Sequence, residues 1–151
     1  MKQIKVYYLF YFVAVVVILV GLNDPDSTSD INIHDTYFVI PNLYFATLIS
    51  AGYFFLGLGY WFFCKILKRN LLNFLTLIHS FILIGGFLLY WIIYFICQHG
   101  NPNPFQQIRR AELMNMTLVI NTILIVLVAQ PIYVFNLLWS LKKKNRNSAI
   151  R

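Results

Sequence analysis

Three places in the chain carry side chains able to do chemistry. The densest is the dipeptide His34-Asp35, which follows Asp24, Asp26 and Asp30 closely. A hard divalent cation takes several oxygen ligands, so this group could hold one. A loop with four Asp residues is also ordinary solvated surface, which is the plainer reading. The second place is Arg109-Arg110 with Glu112 close behind. Two guanidinium groups there could pair with the carboxylate, lipid phosphates or a partner. The third is His79, in a long apolar run, where an ionisable group could relay protons or bond a neighbouring helix. Cys64 and Cys97 lack the spacing of a metal site.

The elements that position these groups follow from composition. The chain has 151 residues, of which 60% are hydrophobic, 18% aromatic and only 11% charged. Such a balance exceeds what a water-soluble domain uses. Crossing a hydrocarbon core about 30 Å thick takes about 20 mostly apolar residues in a helix. Four stretches qualify: Val6 to Leu22, Pro41 to Ile66 within the longer run from Thr36, Leu72 to Cys97, and Met116 to Leu141. The pattern predicts an all-α membrane protein, a four-helix transmembrane bundle forming one domain over residues 1–151. The first stretch has the basic start of a signal peptide, but no small-x-small cleavage site follows it, so it reads as an anchor. His99 to Asn115 reads as a loop, because the run from Gly100 to Pro104 cannot continue a helix.

The charges then separate by side. Lys2, Lys5, Lys65, Lys68, Arg69 and the tail from Lys142 to Arg151 share one side of the membrane. Asp24, Asp26, Asp30, Asp35 and Glu112 share the other. Positive-inside orientation puts both termini in the cytoplasm, in a multi-pass protein of the cell (inner) membrane. The formal charge of +7 is therefore a topology signal, and no nucleic-acid partner is expected. The same placement sets Cys64 and Cys97 a membrane thickness apart, too far for a disulfide. Asn42, Ala46 and Ser50 recur four apart on the second span, and Gly52, Gly57 and Gly59 extend it. Gly85 and Gly86 do the same in the third span, and Asn121, Gln130 and Pro131 mark the inward face and kink of the fourth.

One segment is more specific. His34, Asp35, Thr36, Tyr37, Phe38, Val39 and Ile40 resemble the opening of the tenth helix of cytochrome c oxidase subunit I, where haem-copper oxidases carry His-Asp-Thr-Tyr-aromatic-Val-Val-Ala-His-Phe-His. Ile78, His79 and Gly86, then Gln98-His99, then Arg109-Arg110, resemble features of its last two helices in the right order. The resemblance implies the closing four helices of that subunit in the orientation that the charges predict. It also places His34 and Asp35 at a non-redox Mg²⁺ or Mn²⁺ site, and Arg109 and Arg110 where the family contacts haem propionates.

The departures bear on activity. At the two haem-ligand histidines of that helix this chain has Asn42 and Tyr44, and the family's copper ligands lie on earlier helices. No redox cofactor is expected, nor catalysis by the chain alone. Pro41 replaces the family's Ala and biases Ile40 away from helix. Either the helix kinks there, or it starts at Pro41 and the preceding segment is extended. Three functions are compatible: an accessory, assembly or scaffold component of a respiratory membrane with oxidase subunits as partners; a small binding or sensing protein whose outer His-Asp loop holds a divalent cation or protein; or one piece of a split oxidase subunit. Metal analysis separates the cation reading from the rest. A cation site gives the wild type Mg or Mn that His34→Ala and Asp35→Ala lose, whereas equal content in all three removes it.

Overall fold

The computed structural model describes residues 5–33, 36–98 and 103–148. Four helices in it are long and apolar enough to cross a membrane: Val6–Asn23, Asn42–Ile66, Asn73–Cys97 and Pro104–Lys142. The protein is an all-α membrane protein with four transmembrane helices, as the apolar lengths predict. Large apolar side chains such as Phe12, Leu48, Phe74, Phe81 and Leu127 point away from the chain, which suits lipid as their solvent.

Residues up to Leu71, together with those from Ser140 onward, form one compact unit, and Leu72–Trp139 form a second. In the first, α1 (Val6–Asn23) is followed by an antiparallel hairpin, β1 (Thr28–Ile33) and β2 (Thr36–Pro41), and then by α2 (Asn42–Trp61). The hairpin decides between the two readings of Pro41. That residue caps the helix at φ −56° and ψ 135°, and the strand before it is extended. The chain therefore enters α2 from a strand, without a kink.

α1 and α2 pack through small residues. Phe10, Ala14, Val17 and Gly21 are buried on α1, and Ala46, Tyr53, Gly57 and Tyr60 on α2. The Ser50 hydroxyl donates to the Ala14 carbonyl at 2.8 Å. Phe10 packs its ring against Tyr53 and Tyr60, with centroids 6.1 and 5.6 Å apart. A Cβ on Gly21 would collide with the Ala46 methyl, and one on Gly57 would come within 2.9 Å of the Tyr11 ring. Close backbone approach of this kind is what packing in lipid relies on. Beyond Trp61 the helix widens into a π turn, Phe62–Ile66, and ends where Lys68 adopts φ 49°.

In the second unit α3 runs from Asn73 to Gln98 and α4 from Pro104 to Leu124. A π turn, Ile125–Ala129, joins α4 to α5, Gln130–Ser148. The predicted irregularity at Pro131 takes this form. Proline has no N–H and its ring crowds the preceding turn, and the wider turn accommodates both. Gln130 N–H accordingly bonds the Ile125 carbonyl five residues back.

The loop expected over His99 to Asn115 is largely helix instead. Asn103 accepts from the Gln106 N–H at 2.8 Å while Gln106 Oε1 accepts from the Asn103 N–H at 3.1 Å, with Pro104 at the first helical position. This capping box starts the helix where the prolines had suggested only a break. The apolar helix it opens has 39 residues and is about 58 Å long at 1.5 Å per residue, so it outruns a core of about 30 Å.

The glycine geometry separates two substitutions that sequence makes look alike. Nothing lies within 4 Å of a Cβ added at Gly52. Gly21→Ala is expected to destabilise the first unit by about 1–3 kcal/mol through overpacking. Gly52→Ala is expected to stay within about 0.5 kcal/mol of wild type. Unfolding titrations in mixed micelles read both, and equal stability of the two variants contradicts the packing.

Candidate functional site

Polar side chains inside the spans define the best-formed site, in the second unit. Asn136 on α5 is 0% exposed. Its Oδ1 accepts from the Leu72 N–H at 2.9 Å, and its Nδ2 donates to Thr76 Oγ1 at 2.8 Å and, at a longer 3.5 Å, to the Leu72 carbonyl. The amide thus caps the start of α3, where N–H groups have no partner within the helix. Thr76 and Ser80 turn their hydroxyls back onto the Leu72 and Thr76 carbonyls at 3.1 and 2.8 Å.

One turn along α3, His79 is also 0% exposed and stacks on Tyr133 of α5, with ring centroids 5.1 Å apart and planes at 23°. Two turns further, Asn121 Nδ2 donates to the Gly86 carbonyl at 2.9 Å. A Cβ at Gly86 would approach the Asn121 amide to 3.1 Å, so glycine opens this contact. Gly85 faces open space and has no such role. Near the far end of α3, Arg110 Nη1 donates to the Cys97 carbonyl at 2.6 Å. A cation on the last carbonyls of a helix also suits the helix dipole.

These contacts form a column along α3: Asn136 and Thr76, then His79 and Tyr133, then Asn121 and Gly86, then Arg110 and the Cys97 carbonyl. Its chemistry is hydrogen bonding between helices and one ring stack, with His79 and Arg110 as ionisable members. Sequence reading had named His79, Gly86, Asn121 and Arg110. It missed Asn136, Thr76 and Ser80, although an Asn within an apolar run and hydroxyls flanking His79 were the available signals.

The other candidates fall out differently. His34 and Asp35 lie outside the described residues. Asp24 and Asp26 are described and exposed. Among the described residues no three His, Cys, Asp or Glu gather as a ligand set. Arg109 is exposed on the first turns of α4, and Cys64 and Cys97 are free thiols.

Asn42 and Tyr44, which the oxidase resemblance would set at haem-ligand positions, have other surroundings here. Asn42 opens α2 with its side-chain amide donating to Ser27 Oγ and its N–H to the Ser27 carbonyl at 2.8 Å. Tyr44 is 71% exposed. An amide engaged at the hairpin base and a phenol facing outward offer iron no axial pair. Comparison with protein-family models, curated proteins and solved structures finds no match.

Proposed function

We propose that this chain is a membrane scaffold related to subunit I of the haem-copper oxidases, holding its last four helices without a redox centre and serving as an accessory or assembly component of a respiratory membrane. The observation that carries this reading is the fate of the two ligand positions. Asn42 is built into the junction of hairpin and helix, and Tyr44 faces away from the chain. The polar groups of the column support the same reading, since their described bonds run between helices or along one. The charge pattern supports both termini in the cytoplasm and the hairpin outside.

Two measurements on protein purified from its native membrane test this. Visible absorption is expected to show no Soret band, and a haem-type spectrum overturns the proposal. Gentle detergent extraction is expected to co-purify oxidase subunits with the tagged chain. Recovery of the chain alone, at every detergent mild enough to keep the oxidase whole, contradicts the accessory role.

A further inference from the structure

In the second unit, α3 and the helix that faces it spend unequal numbers of residues between the same two contacts. Three side chains of α4 and α5 reach backbone groups of α3: Arg110 the Cys97 carbonyl, Asn121 the Gly86 carbonyl, and Asn136 the N–H and carbonyl of Leu72. Between the first two contacts the helices match, with 11 residues from 110 to 121 and 11 from 86 to 97. Between the second and third they do not, since α3 spends 14 residues, 72 to 86, and α4–α5 spends 15, 121 to 136. The surplus residue falls in the stretch that holds the π turn Ile125–Ala129.

Phase explains why the turn lies there. An α-helix advances about 100° per residue, so over those residues the contact stripe of α3 drifts back by about 40°. That is the drift of about 20° per heptad seen in helices that wind left-handedly around each other. An unbroken α-helix would instead carry Asn136 forward about 60° from Asn121, about 100° away from the matching stripe. A π turn closes with an i→i+5 bond and so spends one residue more than an α turn. One such turn returns Asn136 to a drift of about 40° and therefore to α3. Burial agrees: Ala129 within the turn is 0% exposed, while Val126 and Leu127 face outward at 56% and 67%.

We propose that this π turn is a register device, made by one residue that α4–α5 carries in excess of α3, and that it sets Tyr133 and Asn136 in phase with Asn121 and Arg110. Pro131 fits the wide turn, but the residue count is what requires it. The device places the ring that covers His79. Tyr133 stacks on His79 three residues before Asn136, just as His79 follows Thr76 by three, so the two contacts share one phase. In an unbroken helix Tyr133 would stand about 120° from Asn121, against about 20° with the turn, and the ionisable group in the span would lose its cover. The device is independent of any scaffold role, because it uses only contacts within the second unit.

Disulfide cross-linking of the full chain in lipid vesicles tests it. The pair Thr76→Cys and Asn136→Cys reports register beyond the turn, and Gly86→Cys with Asn121→Cys reports it before the turn, where a Cβ at Gly86 already meets the Asn121 side chain. Both pairs are made with Cys64→Ala and Cys97→Ala. Each is then placed in three backgrounds: Pro131→Ala, Pro131→Ala with Val126 deleted, and one alanine inserted after Val126. The 86/121 pair is expected to cross-link in all of them. The 76/136 pair is expected to cross-link as fully as its parent in Pro131→Ala and in the deletion, and several-fold less in the insertion. Its loss in Pro131→Ala makes the proline the cause of the turn and overturns the proposal. Its loss in the deletion, or its retention in the insertion, overturns it as well, since either shows that residue count does not set the register.

Discussion

Hydrocarbon offers a peptide group nothing to bond with, and the structure follows from that constraint. A helix satisfies its own backbone, but its ends and its polar side chains must find partners within the protein. At the start of α3 the partner is Asn136, which serves the Leu72 N–H and the Thr76 hydroxyl together. At the other end the Cys97 carbonyl of α3 receives Arg110. At the start of α2 the Ser27 carbonyl receives the Asn42 N–H. Each of these groups would be costly in lipid if left alone, so each bond also fixes where one segment sits against another.

The two units meet the constraint by different means. α1 and α2 come close because Gly21, Ala46 and Gly57 remove side-chain bulk, and aromatic rings fill the space at one end of the contact. The second unit uses side-chain amides, with Asn136 and Asn121 bonding across to α3 at positions separated by several turns.

Much of this was legible in the sequence, and the gaps have physical reasons. Apolar length and the absence of charge defined four spans because burial in lipid leaves few alternatives. Asn42, Ala46 and Ser50, four apart, marked the face of α2 that the structure turns toward Ser27, Gly21 and Ala14. The hairpin was harder, because the alternating Asp30 to Ile33 run is short and lies in a polar loop that also reads as solvated. Pro41 at least signalled that extended chain could precede the helix. At Asn103 the sequence carried opposing signals: proline breaks a helix from within but begins one well, and only the reciprocal bonds with Gln106 tell which applies. Asn136 gave no periodic cue, since its importance depends on where another helix happens to start.

The claim that buried amides hold α3 against α5 is tested most directly by a double-mutant cycle on Thr76 and Asn136. Thr76→Val, Asn136→Leu and the double variant are compared with wild type by reversible unfolding in a lipid environment. The bond between the two side chains predicts a coupling of about 0.6–1.7 kcal/mol, the range for hydrogen bonds between membrane helices. Effects that add to within about 0.3 kcal/mol would show that apolar packing holds these helices and that the amide is incidental.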